Sequence, residues 1–331
     1  MNIVKTNKLS PKLFKDNIET EPIRVGFGRG LVEAGKKNPK VVALCADLTE
    51  STHMLPFKEA YSDRFVEVGV AEQNLVTVAS GLAAVGKIPF ATSYAGFSPG
   101  RNWEQIRTTI CLNDRNVKIV GSHAGLSVGP DGATHQMLED IALMRVLPNM
   151  IVVVPCDSVE AQKATMALAS NNSPAYLRLA REATAVITTL ETPFKLGKAQ
   201  VLSSGDDLTI VVCGPLVYEA LKAASVLKNY SISAEVINCA TIKPLDSKTI
   251  VSSIKKTRRV MTVEEAQTVG GLGGAVSELV ASRFPVPVVR LGVQDRFGQS
   301  GTVDQLWQEY QIDERSIVKY AREFVKKVGK K

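Results

Sequence analysis

Two of the three histidines in this chain, His123 and His135, share one loop with Asp131: GSHAGLSVGPDGATHQ, residues 121–136. Its four glycines allow tight turns close to a ligand, while the imidazoles and the carboxylate offer hydrogen bonds and proton transfer. The spacing fits no regular metal-ligand set. Two solvated loop histidines are the plain alternative. A second candidate is Glu72, in RFVEVGVAEQNLVTVASGLAAVG, at the junction of an apolar strand and an apolar helix. Water is scarce there and helix-end amides are near, so desolvation and the helix dipole pull the carboxyl in opposite directions. By position alone Glu72 reads as a helix cap. The glycine-rich VGGLGGAVSE (269–278) lacks G-x-G-x-x-G and reads as close helix packing; the alternating Gly26, Gly28 and Gly30 lack that fingerprint too, so a nicotinamide cofactor is not implied.

These residues must be held by an α/β scaffold. Apolar runs of strand length recur at 41–45, 65–70, 117–122 and 150–155, and continuous runs of this kind are buried on both faces of a parallel sheet between helices. Leu75, Val78, Ala79, Leu82 and Ala83 fall at helical spacing between the second and third runs, and a further helix is expected from about Met137. Through 183–200 the pattern loosens into a linker, after which the alternation resumes with LTIVVC, a helix over 216–228, AEVINC, RRVMTV, a helix after Gly274 and PVVRLG. A closing helix carries Ile317, Ala321, Phe324 and Val325 on one face.

Composition agrees. A length of 331 residues corresponds to two domains at roughly 150 each. With 45% apolar, 22% charged and 6% aromatic residues, the chain is neither disordered, collagenous nor coiled coil. Forty basic against 33 acidic residues give +7, partly from a terminal fringe of Lys5, Lys8, Lys12, Lys15, Lys326, Lys327, Lys330 and Lys331. No element interleaves basic and aromatic residues as nucleic-acid binding requires. Cys45, Cys111, Cys156, Cys213 and Cys239 are odd in number and scattered, as expected of buried free thiols in a reducing compartment. No signal-peptide core and no apolar run near ~20 residues is present, so a cytoplasmic location without membrane association is expected.

Five blocks in order carry a resemblance: ALCADLTEST, FVEVGVAEQNLVTVASGLAAVGKIPFATSY, GSHAGLSVGPDGATHQMLEDIALMRVLPNM, MTVEEAQTVGGLGGAVSE and GVQDRFGQSG. From about Ile23 to Gly301 the chain resembles the C-terminal half of the thiamin diphosphate-dependent transketolase family, in the form that occurs as a separate subunit. The resemblance implies a pyrimidine-binding domain (20–190), a parallel sheet flanked by helices, then a smaller α/β C-terminal domain (195–331), with the active site at a dimer interface and both domains self-associating.

Carried over by position, Glu72 matches the glutamate that hydrogen-bonds N1′ of the cofactor's aminopyrimidine, which displaces the cap reading. Tyr94 and Phe97 match its aromatic neighbours, and Asp47 and Leu48 match positions lining the cofactor site. His123 and His135 match histidines around the sugar hydroxyls, and Asp131 matches the residue recognising the donor's C2 hydroxyl. Arg24, Ser51 and Arg181 match the sugar-phosphate binders, a role for which a planar guanidinium suits phosphate. Taken alone, Arg24 and Arg181 would be surface ion pairs.

The family's Gly-Asp-Gly and Asn element for diphosphate and Mg²⁺ is missing; Gly205, Asp206 and Asp207 come nearest. The resemblance therefore implies an N-terminal partner subunit that holds the metal, no metal ligand in this chain, and sugar phosphates as substrates. The alternatives within thiamin enzymes are half of a deoxyxylulose-phosphate synthase and the β subunit of a 2-oxoacid dehydrogenase. A non-catalytic regulatory subunit is the alternative of another class.

Overall fold

A computed structural model describes residues 2–329; Met1, Lys330 and Lys331, the last two counted above in the basic fringe and the second domain, lie outside the described residues. Two sheets organise the chain. The first has seven strands in the order Thr241–Lys243, Ile151–Val153, Ala175–Arg178, Lys118–Ser122, Ile88–Tyr94, Val41–Cys45 and Phe65–Glu67. All pairs are parallel except the first. Val41–Cys45 and Lys118–Ser122 are buried along their whole length, as continuous apolar strands between helical layers must be.

The second sheet has six strands in the order Asn2–Ile3, Gln200–Ser204, Ala234–Asn238, Leu208–Val212, Val260–Gln267 and Val288–Val293. Its last four strands are parallel, and its first three pair antiparallel. Each sheet takes an edge strand from the other end of the chain. Asn2–Ile3 joins the second sheet, and Thr241–Lys243 crosses to the first.

Several elements differ locally from the sequence expectation. The strand at 65–70 stops at Glu67, because Gly69 takes a positive φ of 70° and turns the chain toward helix Glu72–Ala84. No helix starts near Met137; that residue bridges Ala124, and the helix is Asp140–Arg145. The helix placed after Gly274 begins at Leu272, where the Glu264 carboxylate accepts the Leu272 and Gly273 amides at 2.7 Å each. The chain thus fills its own glycine-rich anion cradle with a carboxylate.

Residues 183–200 form a packed strap. Ala183–Ala185 pairs with Thr20–Pro22, and Ile187 and Thr188 are buried, their amides bound by the Asp157 carboxylate. Helix Ile23–Lys37 lies so close to helix Ser158–Ala169 that a Cβ on Gly26 would stand 1.7 Å from the Ser158 carbonyl oxygen. All five cysteines are free and buried. Among the described residues no helix is long and apolar enough to cross a membrane.

Candidate active site

The parallel strands of the first sheet end on one side, where ligands of open α/β sheets bind, and the candidate residues other than Arg24, which lies in helix Ile23–Lys37, lie at or after those ends. Glu72 is the first residue of its helix yet does not cap it: the N-cap is Ala71, and no side chain makes a cap hydrogen bond there. Its carboxylate, 1% exposed, accepts from Arg101 Nη1 at 2.6 Å and weakly from Ser93 Oγ at 3.4 Å. Asn102 Nδ2 holds the Glu72 carbonyl at 2.8 Å. Arg101, 49% exposed, also lies over the Phe97 ring at 5.2 Å.

From Phe97 an aromatic cluster runs into the histidine loop. Phe97 stacks on Tyr94 at 6.1 Å between centroids, Tyr94 stacks on His123 at 3.8 Å, and His135 meets Phe97 edge-on at 5.8 Å. His123 is buried, has φ 55°, and shares a hydrogen bond through Nδ1 with Ser122 Oγ at 2.9 Å. Burial, reinforced by Arg24, Arg181, His135 and His53, pushes its imidazole down to about 3, so the ring is neutral near pH 7. His135 is half-buried and paired through Nδ1 with Thr134 Oγ1 at 2.9 Å.

Two guanidiniums border this cluster. Arg24 is half-buried, and its Nε and Nη1 atoms are buried without a hydrogen-bond partner. Burial and the neighbouring Arg181 weaken its hold on its proton, which an arriving anion would restore. Arg181 donates to the Val128 carbonyl at 2.8 Å and stands 3.5 Å from Asp131 and 3.3 Å from Glu182.

Asp47, Leu48 and Ser51 are less tightly drawn in. They occupy the loop after Val41–Cys45: Asp47 is exposed, with φ 58° and its amide bound by Glu67 Oε1 at 2.8 Å. Ser51 Oγ donates to the Leu48 carbonyl at 3.2 Å. Glu72, Tyr94, Phe97, His123 and His135 therefore form one connected group; Arg24, Arg181 and Asp131 border it, and the 47–51 loop bonds to itself and to Glu67, with no bond to that group.

Residues 21–186 match the family described as the transketolase pyrimidine-binding domain, and residues 197–317 match the transketolase C-terminal domain. The chain belongs to the transketolase family. A transketolase C-terminal section, provisionally so named, from Methanocaldococcus jannaschii is 45% identical over 92% of this chain and 96% of its own length. The 6-deoxy-6-sulfo-D-fructose transketolase subunit of Clostridium sp. (strain MSTE9) is 38% identical over 94% and 96%. A split-gene transketolase solved as an inactive β4 tetramer is 40% identical, with a TM-score of 0.84 over 92% of this chain and 98% of that one.

Transketolase membership implies dependence on thiamin diphosphate. The residues present fit the aminopyrimidine end, with a buried carboxylate whose second oxygen has only one long bond, beside two aromatic faces. Among the described residues no group of three or more His, Cys, Asp or Glu side chains could hold a metal ion.

Sequence reasoning missed two neighbours of the candidate residues. Arg101 follows the aromatic strand with no spacing signal, 29 residues from Glu72. His53, the third histidine, sits beside Arg24 with its imidazole lowered by burial and that charge.

Proposed function

We propose that this chain is the C-terminal subunit of a two-component transketolase. It moves a two-carbon ketol unit from a ketose phosphate to an aldose phosphate, together with an N-terminal subunit that carries the diphosphate and Mg²⁺ site. The observation that carries the reading is the meeting of a buried carboxylate, Glu72, and an aromatic pair with Arg24, whose buried Nε and Nη1 have no partner.

When bound, thiamin diphosphate supplies the carbanion chemistry of ketol transfer. Glu72 holds the proton shared with the pyrimidine ring nitrogen, and Tyr94 and Phe97 exclude water from that ring. Asp47 and Leu48 border the cofactor from the neighbouring loop. His123, kept neutral near pH 7 by burial and the neighbouring cations, is the histidine that faces a substrate hydroxyl and accepts its hydrogen bond as the proton is removed. His135 and Asp131 orient the remaining hydroxyls. Arg24 and Arg181, with Ser51, engage the phosphate, for which the unpartnered Arg24 nitrogens are the open donors.

Self-association beside the site is supported by the exposed apolar side chains of Val70, Val85 and Leu112, which flank helix Glu72–Ala84 and the helical segment Ile106–Cys111 packed against it. The test is an assay of xylulose 5-phosphate plus ribose 5-phosphate with thiamin diphosphate and Mg²⁺, with and without the N-terminal partner. Turnover is expected only with both subunits. Activity of this chain alone would refute the split site, and carbon dioxide release from pyruvate with glyceraldehyde 3-phosphate would assign a synthase instead.

A further inference from the structure

The loop bearing His123, Asp131 and His135 begins and ends in the first sheet's domain, yet its middle is held by the second. Glu265, at the end of strand Val260–Gln267 and 2% exposed, accepts the Ser127 amide at 3.0 Å and the Ser127 hydroxyl at 2.9 Å. Trp307 Nε1 donates to the same carboxylate at 3.3 Å, and Arg178 Nη1 stands 3.7 Å away. Arg178 in turn is bound to Asp140 at 2.8 Å, so the buried charge is shared across the two domains.

On the other side of the loop, buried Gln136 donates to the carbonyls of Gly129 at 3.1 Å and of Gln299, in the second domain, at 3.0 Å. The fit is close: a Cβ on Gly125 would lie 2.5 Å from the Glu265 carboxyl carbon, and one on Gly298 only 1.8 Å from Gln136 Oε1. Gly125, Gly129 and Gly132 all have positive φ, so the loop has little local stiffness and takes its shape from these contacts.

We propose that Glu265, with Gln136, is a positioning residue: through Ser127 and the Gly129 and Gln299 carbonyls, the C-terminal domain sets the placement of His123, Asp131 and His135. This rests on the sugar-phosphate reading above. Glu265 itself touches no substrate. Its effect is geometric, and displacing reacting groups by ~1 Å costs about 10²-fold in rate.

The experiment compares Glu265→Gln, which keeps the shape but weakens the charge-assisted bonds, and the milder Ser127→Ala. In the full chain alone, hydrogen exchange at residues 126–136 is expected to rise at least tenfold in Glu265→Gln and a few-fold in Ser127→Ala, with helix 72–84 unchanged. In the assembled enzyme, KM for the ketose phosphate is expected to rise about tenfold or more, while thiamin diphosphate affinity, read by fluorescence titration, stays within twofold. Unchanged exchange at 126–136, or raised exchange with unchanged KM and kcat, overturns the proposal. Equal loss of cofactor affinity and substrate affinity also overturns it, since that marks a general structural defect. Should the parent assembly transfer no ketol unit, the functional reading fails, and the exchange measurement alone decides whether the clamp exists.

Discussion

At the residue scale, the pairing of Glu72 with Arg101 sets the charge of the candidate site. A buried carboxylate without a counter-charge is costly, and the half-exposed guanidinium supplies one while keeping its other nitrogens in water. Arg101→Met is expected to lower stability by about 1–3 kcal/mol in denaturant unfolding, and Arg101→Lys to recover part of it. No loss in the Met variant would mean that water replaces the pair. His123 provides the pH signature. Its folded-state pKa of about 3 lies below the unfolded value of 6.5, so the unfolded chain binds more protons between those values. This contribution is complete above pH 6.5 and is lost as pH falls toward 3. In His123→Asn, which tolerates the positive φ, the melting temperature should depend less steeply on pH in that window; an unchanged slope would place the acid sensitivity elsewhere.

At the element scale, two glycines in helices make opposite predictions from the same propensity. Replacing glycine by alanine inside a helix gains about 0.5–1 kcal/mol when the methyl meets nothing. Gly81 in helix Glu72–Ala84 is such a position, with no atom within 4 Å of a Cβ, and Gly81→Ala should stabilise the isolated chain by that amount. Gly26 is the reverse. Its Cβ would overlap the Ser158 carbonyl, so Gly26→Ala should separate the two helices, cost about 1–3 kcal/mol and displace Arg24, two residues earlier. Paired thermal melts of the two variants check both signs.

At the scale of the whole molecule, the exchanged edge strands make the two sheets interdependent. Removing either domain strips the other of a strand: Thr241–Lys243 from the first sheet, Asn2–Ile3 from the second. The Lys243 ammonium donates to the carbonyls of Arg145 and Leu147, adding a polar tie at the same crossing. Calorimetry of the full chain should therefore show a single cooperative transition, and a fragment ending before residue 195 should be less stable than the same region in the intact chain. Two separate transitions would show that the crossings carry little energy.

The α/β alternation, the core-facing positions of the closing helix and the buried thiols were legible in the sequence, because alternation and helical period are local consequences of which side chains avoid water; the strands Ile88–Tyr94 and Ala175–Arg178 were not. The grouping of His123, Asp131 and His135 on one glycine-rich loop was also visible locally, whereas Glu72 read by position alone as a helix cap and drew notice only through the family resemblance. Element boundaries at Glu67, Asp140 and Leu272 were not legible, because turns and carboxylate-bound amides set them and the apolar pattern does not. Only the tertiary structure decided that Arg101 neutralises Glu72, that edge strands cross between sheets and that Glu265 reaches Ser127 across 138 positions of chain. Such contacts join positions with no shared period, and the path of the folded backbone alone brings them within a hydrogen bond of each other.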